Sequence, residues 1–174
     1  MMTSSRLQLR AVEPTDVDLM YEVENDTDAW RYSDTVSPLS IQLLTDYALS
    51  YDADPFSAGQ LRLIITEKTS DKPVGIADLY SISQRHRHAF IGIYILKEFR
   101  ELGYAKETIN ILENYAKDIL FLHQLGAKVE EGNKKALSLF LSCGYEEKVI
   151  LDQWLAIPGG KFTGLILLTK KLYS

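Results

Sequence analysis

The stretch "FRELGYAKETI" (Phe99–Ile109) places Arg100, Gly103 and Ala105 where a strand-like run gives way to a helical one. A strand, a Gly-bearing loop and a helix leave several backbone N–H groups unpaired at the helix start. Anions bind at such a start because donors and dipole point the same way, and a glycine lets the backbone come close. A tight strand-to-helix connection needs a glycine for its geometry as well, so this stretch alone leaves both readings open. Neither a Walker spacing nor a GxGxxG run is present, and the Gly-Lys pair of "PGGKF" (Pro158–Phe162) lies in a hairpin turn without a following helix.

Outward from that stretch, the chain alternates strand and helix patterns. "RLQLRAV" (Arg6–Val12) reads as a first strand, and "EPTDVDLMYEVEN" (Glu13–Asn25) as a helix with Thr15 as N-cap. "SPLSIQLLTDYALSY" (Ser37–Tyr51) predicts a helix capped at Ser37 or Ser40. Three strand-like runs follow, "LRLIITE" (Leu61–Glu67), "PVGIADLYSI" (Pro73–Ile82) and "AFIGIYIL" (Ala89–Leu96), the first two joined by the turn-forming "KTSDKP". After Gly103, the apolar positions Ala105, Ile109, Leu112, Ala116 and Ile119 predict a helix up to about Leu122. "QLGAKVEE" (Gln124–Glu131) reads as a strand, and "NKKALSLFLSCGY" (Asn133–Tyr145) as a helix that Gly144 ends. "KVILDQWLAI" and "FTGLILLTKKL" close the chain as a hairpin across "PGGK". Such an alternation implies a mixed sheet with helices on both faces.

Size and charge narrow the classes. At 174 residues, without repeat, linker or low-complexity run, the chain reads as one domain, 1–174. Its first residues lack the apolar stretch of a signal peptide, no run approaches a membrane span, and the lone Cys143 rules out an internal disulfide. Together these lead to the expectation of a cytoplasmic protein with no membrane partner. Between Ala11 and Gln60 there are eleven Asp and Glu against one basic residue, Arg31. Most of these acids belong on solvated faces, but focused negative potential also draws cationic ligands. Nucleic acid is disfavoured, because "QRHRH" (Gln84–His88) is too small a basic surface for a phosphate backbone. His86 and His88 alternate without a neighbouring Cys or carboxylate in sequence, which gives no expectation of a metal.

Taken together, "RELGYA" and "NKKALSLFLSCGY" resemble the GNAT superfamily of N-acetyltransferases. The family pattern is Arg/Gln-x-x-Gly-x-Gly/Ala, then Asn-x-x-Ala-x-x-Leu-Tyr/Phe-x-x-x-Gly-Phe/Tyr. The resemblance runs from "LQLRAVEPTDVDLMYEVEND" through "KPVGIADL" to "GYEE". It is greatest for the spermidine and diamine acetyltransferases, whose "HRRA" and "LNLHQL"-like segments are similar to "HRHA" (His86–Ala89) and "LFLHQL" (Leu120–Leu125). The resemblance implies a mixed, mostly antiparallel α/β sheet of about seven strands, with a splayed notch between the fourth and fifth for acetyl-CoA. It further implies that the backbone of Ile93, Tyr94 and Ile95 holds the pantetheine arm. The pyrophosphate would rest on the loop and helix start at Glu101, Leu102, Gly103, Tyr104, Ala105 and Lys106, with Arg100 beside it. Asn133 and Lys135 would reach the cofactor from the second helix.

Acetyl transfer to an amine requires loss of a proton from an ammonium whose pKa is about 10.4, donors facing the thioester carbonyl, and a proton for the leaving thiolate. In the polyamine enzymes a Tyr supplies that last proton. Here Phe140 stands in its place beside the cofactor and has none to give, which leaves water or another group; Tyr94 and Tyr104 are the possible substitutes. Asp78, a charge inside an apolar strand, and Asp34 in "RYSDTVSP" match the family's acceptor-site acids, with Glu24 and Asp26 as further candidates. The expected acceptor is a primary amine of a small polycation. The alternatives are acetylation of a protein N-terminus and a non-catalytic acyl-CoA-binding module, and self-association follows from the relatives.

Overall fold

The computed structural model describes residues 2–33, 35–50 and 54–173. Seven strands make one sheet: β1 (Leu7–Ala11), β2 (Gln60–Glu67), β3 (Pro73–Ser83), β4 (His88–Ile95), β5 (Gln124–Glu130), β6 (Glu146–Ile157) and β7 (Lys161–Lys171). Their spatial order is β1-β2-β3-β4-β5-β7-β6, and only the β4–β5 pair is parallel. The described helices are α1 (Val17–Glu24), α2 (Thr27–Trp30), α3 (Ile41–Leu49), α4 (Pro55–Ala58), α5 (Tyr104–Asp118) and α6 (Lys134–Ser142). The expected mixed, mostly antiparallel α/β fold with helices on both faces is therefore the fold observed.

Strand alternation sends side chains to two separate cores. On one face Leu63, Leu79, Ile91 and Leu125 pack with Ile109, Leu112 and Ala116 of α5 and Phe140 of α6. On the other, Ile64 and Ile76 pack with Met20 and Val23 of α1 and Leu44 and Ala48 of α3. Both cores pass through β2 and β3, which therefore have buried residues on consecutive positions.

Two element ends differ from the sequence reading. The first helix is set by Asp16 rather than Thr15: its buried carboxylate accepts the Glu13 N–H at 2.8 Å and two bonds from Arg10 at 2.7 Å. The long helix stops at Asp118, short of Leu122. Leu120 and Leu122 are both buried, two residues apart, a spacing that a helix cannot deliver to one side; the chain turns through Phe121 at φ +52° instead. Elsewhere Ser40 caps α3 by accepting the Leu43 N–H, and Gly144, at φ +85°, follows the end of α6.

The pairing of β4 with β5 is short. It runs from His88↔Gln124 to Phe90↔Gly126, and residues 91–95 and 127–130 continue without pairing to each other. On its other side β4 stays paired to β3 as far as Ile95↔Gly75. A Cβ on Gly75 would lie 2.2 Å from the Tyr94 carbonyl oxygen, so this position must be glycine for β4 to hold its course. Gly75→Ala is expected to destabilise the protein by about 2–3 kcal/mol, read by chemical denaturation. A midpoint unchanged from the wild type would contradict this account of β4.

Candidate active site

Where β4 and β5 part, a cleft of about 850 Å³ opens on the α1–α2 side of the sheet. Its floor is a row across three strands, Arg62 on β2, Asp78 on β3 and Gly92 on β4, paired Arg62↔Asp78 and Asp78↔Gly92. Gly92 has no side chain, so the floor beside Asp78 is low at the point where the strands diverge. Ile93, Tyr94, Ile95, Arg100, Asn133 and Lys135 line the cleft on the notch side, and Glu24, Asp26, Trp30 and Arg31 on the other.

Asp78 is not an isolated charge. Arg62 Nε donates to Asp78 Oδ1 at 2.9 Å and Nη2 donates to Oδ2 at 3.0 Å, while Nη1 donates to Glu24 Oε1. Gln60 Nε2 adds a bond to Asp78 Oδ1 at 3.3 Å. Burial works against the charge on the Arg62 guanidinium, and the two carboxylates more than offset it, so its pKa rises above the usual range. Asp34 lies outside the described residues.

Beside this trio, the Tyr94 hydroxyl donates to Asp26 Oδ2 at 2.6 Å, and Lys97 approaches Asp26 at 3.4 Å and Asp28 at 3.5 Å. The Tyr94 bond draws the Asp26 carboxyl below its ordinary value. Burial, then Asp26, pushes the Tyr94 phenol up to about 12. Across the cleft Arg31 reaches Glu130, a carboxylate 3% exposed at the end of β5, at 3.1 Å. Four carboxylates and five cations line the cleft among the described residues, so the negative potential expected from the acidic N-terminal third is largely cancelled there.

On the notch side, Glu101 at φ +65° and Gly103 at φ +82° turn the loop so that α5 begins at Tyr104. The amides of Tyr104, Ala105 and Lys106 fall in the first turn, ahead of Glu107, whose N–H returns to the Gly103 carbonyl at 3.2 Å. Leu102 at this turn is held by Arg6, which donates to its carbonyl at 3.0 Å. Arg100 donates through Nε to the Ile95 carbonyl at 2.9 Å and lies 5.3 Å from the Tyr94 ring centre. Asn133 caps α6 by accepting the Ala136 N–H at 3.1 Å, and Lys135 pairs with Glu101 at 2.8 Å, linking α6 to the loop.

Phe140, at the family's Tyr position, and the two candidate substitutes Tyr94 and Tyr104 lie apart. Phe140 is 7% exposed and packs edge-on against Tyr145, ring centres 5.1 Å apart, away from the cleft lining. The Tyr104 hydroxyl donates to Glu67, again away from the lining; this bond, then burial, raises its pKa. Tyr94 alone of the two substitutes lines the cleft. Sequence reading missed Arg62, although a lone cation in the apolar run "LRLIITE" is the same signal that marked Asp78. Nothing in the sequence pairs Arg31 with Glu130.

A family model for the GNAT acetyltransferase domain matches residues 6–146. A spermidine N(1)-acetyltransferase of Vibrio cholerae is 28% identical over 156 residues, covering 90% of this chain and 88% of the relative. A crystal structure of spermidine N-acetyltransferase from the same organism, in complex with CoA and spermine, superposes with a TM-score of 0.87 at 25% identity and covers 97% of each chain. A dodecameric structure of that enzyme superposes with a TM-score of 0.80 at 24% identity, covering 97% of this chain and 95% of the other.

Folding linkage gives the Tyr94–Asp26 contact a measurable sign. A phenol raised above the ~10 of unfolded tyrosine stabilises the fold fully below that pH, and the contribution is lost as pH rises through about 12. In ultraviolet titration, wild type minus Tyr94→Phe is expected to show a tyrosinate with its midpoint near 12. A midpoint near the ~10 of free tyrosine would contradict the contact.

Proposed function

We propose that this chain, which belongs to the GNAT acetyltransferase family, transfers the acetyl group of acetyl-CoA to a primary amine of a small polycation of the spermidine or diamine kind. The carrying observation is the low floor at Gly92, beside Asp78, where the cleft meets the parted strands. Support for the acceptor class comes from the spermidine N-acetyltransferase relatives, one of which was solved with spermine. Support for one catalytic domain over 1–174 comes from the single sheet that takes in β1 through β7.

The chain's groups suit acetyl-CoA. The edge of β4 along Ile93, Tyr94 and Ile95 runs unpaired with β5, as a pantetheine arm added like a strand requires. The loop from Glu101 through Gly103, with the amides of Leu102, Tyr104, Ala105 and Lys106, suits a pyrophosphate, with Arg100 and Lys135 as nearby cations and Asn133 at the head of α6. Acetyl-CoA would supply the activated thioester carbonyl.

On the acceptor side, Asp78 and Glu24 share the single Arg62 guanidinium and so keep a net negative charge beside Gly92; with Asp26 that charge attracts the reacting ammonium without direct pairing, and Asp34 belongs to the same reading by its place in the sequence. Carboxylates or a bridging water take the proton that the amine must lose before attack. The Tyr94 and Tyr104 hydroxyls are both committed to carboxylates and both are raised, which makes them weak acids. With Phe140 at the family's Tyr position, protonation of the leaving thiolate falls to solvent water. The same reading places the enzyme in the cytoplasm, where the lone buried Cys143 stays reduced, and takes a homo-oligomer, as in the dodecameric relative, as its assembly.

Free-thiol release from acetyl-CoA over a panel of polyamines tests the activity. Turnover above the thiolysis blank is expected on at least one diamine or polyamine. Acetylation of N-terminal peptides alone would move the acceptor to proteins, and tight acetyl-CoA binding with no product would leave a binding module. Asp78→Asn keeps an acceptor for Arg62 while removing the charge; it is expected to raise the amine KM about tenfold and leave the acetyl-CoA KM unchanged. An equal loss on both substrates would contradict the role given to Asp78.

A further inference from the structure

Glu24 and Arg62 border two cavities at once. One is the active-site cleft; the other, of about 340 Å³ and open to solvent, lies beyond them and is lined by Leu39, Leu43, Leu44 and Tyr47. The Arg62 side chain is 17% exposed, stands between the two, and lies 6.0 Å from the Tyr47 ring centre. Its guanidinium takes both oxygens of Asp78 and one of Glu24. These are two of the four carboxylates that line the cleft among the described residues, and an arginine already pairs with both.

We propose that Arg62 is a specificity-determining residue: it occupies, from within the chain, the place on Asp78 and Glu24 that a distal ammonium of the acceptor would take, and it closes the cleft against the cavity beyond. The inference rests on the amine-acceptor reading and sharpens it to a substrate class. An acceptor with a short chain beyond its reacting nitrogen fits within the cleft. One with a long chain and further charges must displace a guanidinium hydrogen-bonded to both carboxylates, and gains no passage onward. Removal of Arg62 frees two carboxylates for a ligand cation and joins the cleft to the open cavity, through which a longer tail can run.

The ratio of kcat/KM for spermine to that for diaminopropane reads this out. Wild type is expected to favour diaminopropane, and Arg62→Ala to raise the ratio about tenfold, with the acetyl-CoA KM retained. Arg62→Lys keeps a charge beside the carboxylates but loses the two-pronged fit, and is expected to raise the ratio about threefold. The lysine variant decides alone if the alanine variant does not fold. An equal fall on every acceptor, or a ratio unmoved in the folded variants, overturns the inference and leaves the acceptor assignment standing. Wild-type protein that turns over no amine overturns the acceptor assignment, and the inference falls with it.

Discussion

The early end of the β4–β5 ladder is the constraint from which the rest of the site follows. After Phe90↔Gly126 the two strands keep their direction but give up their mutual hydrogen bonds. Backbone groups left this way inside a sheet are costly unless they meet water or a ligand. At the last pair the Phe90 ring lies so close over Gly126 that an added Cβ there would meet it at 2.7 Å, so the ladder ends on a position that requires glycine. β5 stays fixed by its antiparallel ladder with β7, and β4 by its ladder with β3. The gap is thus framed by two rigid strands, and the cleft is part of the scaffold rather than a product of loop placement.

Charge in the cleft is organised as local pairs. Asp78 and Glu24 share Arg62, Asp26 and Asp28 face Lys97, and Glu130 meets Arg31. These pairs differ in weight. Lys97 is 60% exposed, so its contacts are screened by water. Glu130 and Asp78 are largely enclosed, and for such groups a missing partner costs far more than the pair returns. The enclosed pairs therefore fix geometry more than they add stability. Arg31 ties the segment after α2 to the end of β5, and Arg62 ties β2 and β3 to the last turn of α1.

Much of this was legible in the sequence because it rests on local chemistry. Strand-like apolar runs marked the strands, a cap at Ser37 or Ser40 and a start at Asn133 announced α3 and α6, and Gly103 marked the start of α5. The Arg62–Asp78 pairing was not legible, and the reason is a bulge. Counting back from the hairpin turn at Thr66↔Pro73 would set Asp78 opposite Leu61, on the wrong face. The register shift between Ile65 and Thr66 inserts one residue and brings Arg62 across instead. A single inserted residue moves a side chain to the opposite face of a sheet, and residue types do not announce it. The end of α5 was misread for a related reason, since the burial of Leu120 and Leu122 is decided by tertiary packing.

That bulge also links the fold to the chemistry. Without it Leu61 would face Asp78 in the cleft, and a carboxylate enclosed among apolar groups would have no guanidinium to meet. With it, the same apolar strand supplies Leu61 and Leu63 to the α5 core and Arg62 to the cleft floor. Asp78 can then stand enclosed beside Gly92, where the cleft meets the parted strands. The acid in the central strand is tolerable because of its arginine, and the arginine is in reach because the hairpin slips by one residue.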